Sequence, residues 1–194
     1  MIIEVTEDRE RDLAAYASIS IAYEVRELFD VSRHGAVPDG FALAARRVDT
    51  PYMKDYDADG VGPETWGSRF DLSHWRIFVA RALGRRVGGA AVVFRAPDVD
   101  MLGGDPELAL LWDIRVAPEA RGHGVGSALV ATAEAWAAAN GARWLEIETQ
   151  NVNVPACRFY SARGYVLRAV DPHAYPSLPN ETQLLWRKAL DPAG

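Results

Sequence analysis

Around residue 120 the chain changes its hydrophobic period. Leu110, Trp112, Ile114 and Val116 alternate with Asp113 and Arg115, the spacing of a strand. From Val125 the apolar positions take helical spacing, with Val125, Leu129, Ala133, Trp136 and Ala137 on one face. Asn140-Gly141 then supplies a left-handed helix stop. Downstream, the pattern predicts a strand over Trp144 to Thr149, a short helix from about Val154 to Arg163, and strands over Tyr165 to Val170 and Gln183 to Lys188.

Upstream, Ile2 to Val5 reads as a short strand, and residues 7 to about 16 as a helix capped by Thr6 or Asp8. Ile19, Ile21, Tyr23 and Val25 alternate with polar or small residues as a strand does, with a helix as the alternative across Glu24 to Phe29. Phe41 to Val48 is another strand, and Pro51 opens a polar, turn-rich loop that runs to Pro63. Arg76 to Arg81 and Val87 to Phe94 flank Leu83-Gly84-Arg85 as a hairpin, and a polar loop covers Pro97 to Pro106. Antiparallel strands followed by β-α-β-α-β-β predict a mixed α/β sheet with helices on its faces.

Composition narrows the class. The 194 residues, 49% hydrophobic and 25% charged, suit one soluble domain, and neither a repeat nor a low-complexity linker divides them. No apolar run reaches the ~20 residues that span a bilayer. The first residues lack the basic start and long apolar stretch of a signal peptide, so a cytoplasmic location is expected. A net charge of -6 argues against broad neutralisation of nucleic-acid phosphates and suits a cationic substrate. Cys157 is the single cysteine, which excludes an intramolecular disulfide and a cysteine cluster. His34, His74, His123 and His173 are scattered without ligand spacing, so no metal is expected. A Gly-x-Ser-x-Gly nucleophile elbow is missing too.

The chemistry concentrates in Arg121-Gly122-His123-Gly124-Val125-Gly126-Ser127, between the strand and the helix. A loop without Cβ atoms lets backbone N–H groups close on an anion, and a helix N-terminus carries about half a positive charge. Arg121 adds a charge-assisted donor. The loop suits a pyrophosphate. It is not a P-loop, because no lysine follows the glycines, and its Arg-x-x-Gly-x-Gly order differs from a Rossmann fingerprint. A second segment runs from Glu146 to Tyr165. There Asn153 is a natural helix cap, Pro155 fits the first turn, Ala156, Phe159, Tyr160 and Arg163 follow at helical spacing, and Gly164 ends the helix.

Arg121-x-x-Gly124-x-Gly126 followed by Asn153-x-x-Ala156-x-x-x-Tyr160-x-x-x-Gly164-Tyr165 resembles the GNAT superfamily of N-acetyltransferases, with Tyr165 in the usual place of phenylalanine. Four segments are similar to its streptothricin acetyltransferase branch: Tyr23 to Val31, Pro51 to Tyr56, Glu148 to Cys157, and Pro179 to Thr182. The resemblance implies an α/β (α+β) fold with one mixed, mostly antiparallel, splayed sheet of six to seven strands and helices on both faces. It implies a single domain over 1–194, with an acceptor-side half of about 1–108 and an acetyl-CoA-binding half of about 109–190.

It also implies roles. Arg121, Gly122, His123, Gly124, Val125, Gly126 and Ser127 would hold the pyrophosphate of acetyl-CoA. The backbone of Ile114 and Val116 would pair with the pantetheine arm, and Asn151 and Asn153 would add cofactor contacts. The N–H of Val116 or a neighbour would face the thioester carbonyl as an oxyanion donor. Tyr160 would be the general acid, since a phenol with pKa about 10 is protonated at neutral pH. The base is open between Asp113 and Glu148. Tyr23, Glu24, Tyr52, Asp55 and Tyr56 are candidates for a cationic acceptor site, with Glu27, Asp30, Asp57 and Asp59 as further carboxylates. Cys157, with no histidine near it in sequence, reads as a packed thiol. The expected reaction is direct acetyl transfer to a primary amine, with the β-lysine moiety of streptothricin as acceptor. Another amine (a polyamine, an aminoglycoside or a protein N-terminus) or a non-catalytic acetyl-CoA-binding regulator are the alternatives. Neither nucleic acid nor membrane is expected as a partner, and the chain would be a monomer or homodimer.

Overall fold

The computed structural model describes residues 2–33, 40–58 and 60–191. In chain order its elements are β1 (Glu4–Glu7), α1 (Leu13–Ala17), β2 (Tyr23–Arg33), β3 (Phe41–Lys54), α2 (Trp66–Arg69), β4 (Trp75–Ala82), β5 (Arg85–Phe94), β6 (Leu108–Val116), α3 (Val125–Ala139), β7 (Trp144–Gln150), α4 (Val154–Ser161), β8 (Val166–Asp171) and β9 (Gln183–Ala189). Seven strands form a mixed, mostly antiparallel sheet in the order β1-β4-β5-β6-β7-β9-β8, and β2 pairs with β3 as a separate two-stranded sheet. The elements group into two compact units. One comprises Met1–Ala22, Asp55–Leu145 and Ala189–Gly194, the other Tyr23–Lys54 and Glu146–Lys188.

In the first unit two adjacent glycines set what lies on each face of the sheet. A Cβ on Gly88 would stand 2.9 Å from Val125 and 3.1 Å from Leu129, so α3 packs directly on that face. A Cβ on Gly89 would stand 2.5 Å from the Tyr16 ring, which fixes α1 on the other face. That second face holds the aromatic core. Tyr16, Trp66, Trp75 and Trp112 stack in tilted or edge-on pairs with ring centroids 5.1–5.6 Å apart, above Ile77, Ala91, Val93, Leu108 and Leu110. Trp66 belongs to α2, in a stretch that the hydrophobic pattern left unassigned between Pro63 and Arg76.

β6 corrects the simple alternation read from the sequence. Ala91 stands opposite Asp113 and Val92 opposite Leu111, so Trp112 is an extra residue in a β-bulge. The bulge flips the side-chain parity. Leu110 before it and Asp113 and Arg115 after it share one face, so Arg115 is buried at 2% exposure while Ile114 and Val116 are only half-buried. The polar positions of this strand face Tyr16 and the core.

Three other expectations change. The helix expected from residue 7 begins only at Leu13, because Asp8 extends the β1–β4 ladder by donating its N–H to Ile77 O. Its cap is Asp12, which accepts from Ala15 N at 2.9 Å. The strand expected from Ile19 begins only at Tyr23, and β2 then stays a strand through Phe29, where a helix was the alternative, with Val25 and Phe29 as its buried positions. β3 does not stop before Pro51. Tyr52 pairs with Val25 and Arg47 with Glu27, so Val48 to Pro51 fall in a bulge, where a missing proline N–H breaks no ladder bond.

The turns follow their glycines. Leu83 (φ 50°) and Gly84 (φ 75°) close the β4–β5 hairpin with two left-handed residues, the geometry that matches strand twist. Gly141 (φ 92°) ends α3 as the sequence predicts, with Ala142 N bonding Ala137 O and Gly141 N bonding Ala138 O. Replacing Gly89 by alanine should lower stability by about 1–3 kcal/mol, the usual effect of overpacking a core. Urea denaturation measures it, and an unchanged midpoint would mean that Tyr16 does not rest on this glycine.

Candidate active site

Within the first unit, β6 leads into α3. Arg115, 1% exposed in its side chain, donates to both Asp57 oxygens at 2.6 and 2.8 Å and to both Asp113 oxygens at 3.0 and 3.1 Å. The Tyr16 hydroxyl donates to Asp113 at 2.7 Å. Burial alone would lower the Arg115 pKa, but the hydrogen bonds to Asp57 and the Asp113 charge outweigh it and hold it above its ordinary value. Of the two candidate bases, Asp113 is therefore committed to a guanidinium and a phenol.

Beyond β6 the loop makes a concave backbone. Gly122 and Gly124 have φ of 77° and 87°, conformations that L side chains rarely adopt. A Cβ at Gly122 would meet nothing within 4 Å, so the requirement there is conformational. Gly124 caps α3 without a side-chain hydrogen bond, and the first helical turn carries no acidic residue. Residues 121–124 are exposed and Val125 is buried in the core. This set of residues suits a diphosphate. Arg121 is also engaged within the protein. Its guanidinium donates to the carbonyls of Val116 (3.0 Å), Ser20 (3.2 Å) and Ala22 (3.0 Å), and burial lowers its pKa. His123 Nδ1 lies 2.9 Å from Arg121 O, so that nitrogen carries its proton.

The remaining motif residues lie in the second unit. Asn153 caps α4, accepting from Ala156 N at 3.2 Å, and Gly164 (φ 82°) closes the helix. Tyr160 is 3% exposed and meets the rings of Phe159 and Tyr165 edge-on at 5.2 and 5.6 Å. Asn151 is a cross-link: its Nδ2 donates to Phe29 O and its Oδ1 accepts from Thr182 N. Thus both asparagines engage their side chains with backbone. Glu148, half-buried on β7, accepts from the Tyr175 hydroxyl, from Gln183 at 2.8 Å and from Gln150 at 3.4 Å. Tyr175 and Gln183 were not among the sequence candidates, since no motif marks them.

The acceptor candidates divide between the units. Tyr52 lines a cleft of ≈ 640 Å³ in the second unit, together with Asp30, Arg46, Asn180 and Glu181. Burial, then the Glu181 charge, raises the Tyr52 pKa. Tyr23 is half-buried at the start of β2, Glu24 pairs with Arg26, Glu27 with Arg158, and Asp30 with Arg46. Asp55 belongs to the first unit, where it accepts from Asp57 N; Tyr56 is half-buried beside it in the chain. Asp59 and His34 lie outside the described residues. Among the described residues no three His, Cys, Asp or Glu side chains gather as a metal cage.

Residues 45–165 match the model of the acetyltransferase (GNAT) family. The chain belongs to that family. The acetyltransferase is 32% identical over 165 residues to streptothricin acetyltransferase of Escherichia coli, covering 84% of this chain and 82% of the relative. It is 31% identical over 174 residues to that of Streptomyces lavendulae, covering 89% and 86%. Among solved structures, nourseothricin acetyltransferase superposes with a TM-score of 0.77 at 28% identity, over 98% of this chain and 100% of that one. A Bacillus anthracis protein crystallised with acetyl coenzyme A shares the fold, with a TM-score of 0.79 at 22% identity over 97% of this chain and 100% of that one.

Within the acetyltransferase, Cys157 is 1% exposed against Thr149 Oγ1 at 3.3 Å, and burial pushes its thiol up to about 11. The raised value means that folding favours the protonated thiol. Its contribution to stability is complete below the unfolded thiol's pKa, about 8.5, and is lost as pH rises toward 11. Native protein should accordingly resist a thiol-reactive dye at pH 7–9, and urea-unfolded protein should react fully. Rapid native labelling at pH 7 would contradict the buried, protonated thiol.

Proposed function

We propose that this chain transfers the acetyl group of acetyl-CoA to a primary amine of streptothricin, on its β-lysine moiety. The observation that carries the acceptor is the likeness to two streptothricin acetyltransferases along most of the chain. Acetyl-CoA supplies an acetyl thioester. The backbone of Gly122 to Ser127 holds its diphosphate, and the N–H groups of β6 near Val116 face the thioester end.

Glu148 is the proton acceptor for the ammonium. An amine of lysine type has a pKa of about 10.4 and must lose a proton before it attacks. Three neutral groups, Tyr175, Gln183 and Gln150, orient the Glu148 carboxylate, whereas both Asp113 oxygens already serve Arg115. Tyr160 donates a proton to the departing thiolate from a position shielded from bulk water. Attack is direct, and Cys157, buried and protonated, takes no part. Acetylation removes one positive charge from the product.

Tyr160→Phe and Glu148→Gln should each lower kcat by about 10²- to 10⁴-fold, the range for positioned acids and bases, with acetyl-CoA affinity retained. The acceptor is tested by incubating the protein with acetyl-CoA and streptothricin, spermidine or an aminoglycoside, and recording thiol release and product mass. Turnover confined to streptothricin supports the reading. Turnover of only the other amines would replace the acceptor, and cofactor binding without any turnover would leave a regulator.

A further inference from the structure

The cleft in the second unit holds an unanswered hydrogen-bond acceptor. Glu181 is 8% exposed and forms part of the cleft wall. Its Oε1 accepts from Lys54 Nζ at 2.6 Å, but its Oε2 is buried without a partner. Such an oxygen is rare in folded proteins, because desolvating a carboxylate without a donor is unfavourable. Asn151, which also lines the cleft, gives an N–H to Phe29 O and accepts from Thr182 N, and makes no bond to this oxygen.

The rest of the wall suggests the missing donor. Tyr52, a residue 42% exposed that lines the cleft, offers an aromatic surface for an alkyl stem or a cation. At the rim Asp30 is more than half exposed and shares its charge with Arg46 at 3.0 Å. A buried acceptor, an aromatic wall and an exposed carboxylate together suit a group that carries several N–H donors on a flexible stem. Neither Glu148 nor Tyr160 lines this cleft, so the group held here differs from the amine that is acetylated.

We propose that the cleft is a subsite for a second cationic, N–H-bearing group of the acceptor, an ammonium or guanidinium type, with Glu181 as the specificity-determining anchor. The inference rests on a cationic acceptor, as in the function proposed above. It predicts that the enzyme selects polycations and discriminates against amines with a single positive charge.

Calorimetric titration of streptothricin tests the subsite with CoA present at saturation, since CoA has no acetyl group to transfer. Glu181→Gln should weaken streptothricin binding about tenfold or more, and the surface change Asp30→Asn by about threefold, while CoA affinity stays unchanged. In turnover, Glu181→Gln should raise the KM for the acceptor and leave kcat near the original. Equal streptothricin affinity in the original protein and Glu181→Gln would overturn the subsite, as would failure of the amine that is turned over to bind the original protein. Should Glu181→Gln fail to fold, Asp30→Asn and Tyr52→Leu carry the test, and original affinity in both overturns it. If spermidine proves to be the amine turned over, the same titration with spermidine separates a wrong acceptor from a wrong subsite.

Discussion

The first unit depends on one buried cation. Arg115 stands on the strand that leads to the donor loop, in a region otherwise filled by aromatic rings, and it is tolerable there only because two carboxylates answer it. Asp113 lies two residues away on the same face, brought there by the Trp112 bulge. Asp57 comes from the turn after β3, and its bidentate contact ties that turn to the strand. Tyr16 completes the set from α1, reaching Asp113 across Gly89. Two distant parts of the sequence are thereby held to β6, and β6 positions the loop whose backbone would take the diphosphate.

The second unit uses a different device with the same result. Asn151 is a polar side chain that acts as a piece of backbone, joining β2 at Phe29 to the segment before β9 at Thr182. Three residues before it on β7, Glu148 is aimed by Tyr175 and Gln183, two residues brought to it from the β8–β9 side. The Glu148 carboxylate is thus held by neutral donors, whereas Asp113 is held by a cation and a phenol. That contrast separates two residues which the sequence alone left equivalent.

Short-range signals were the legible ones. The glycines of the donor loop, the Asn153 cap, the Gly141 and Gly164 stops and the Leu83-Gly84 turn each act within a few residues, so spacing reveals them. What escaped was long-range. Asp113 and Arg115 looked like the solvent face of an alternating strand because a bulge of one residue leaves no trace in composition. Pro51 looked like a strand end because only the partner strand shows that it occupies a bulge. Nothing in the motif around Arg121 hints that its guanidinium reaches the carbonyls of Ser20 and Ala22, about a hundred residues earlier in the chain. Glu181 carried no signal beyond its presence in a segment similar to related enzymes, and its unpaired oxygen is visible only in three dimensions.

If the buried guanidinium organises the donor side, its removal should act on fold and cofactor together. The most direct measurement compares urea unfolding and acetyl-CoA KM for Asp57→Asn, Arg115→Met and the double variant. Arg115→Met should lose about 3–5 kcal/mol, the cost of breaking a buried ion network, and Asp57→Asn somewhat less. The double variant should lose no more than Arg115→Met alone, and acetyl-CoA KM should rise in parallel. Additive losses, or a stable Arg115→Met with unaltered KM, would contradict the central place given to this residue.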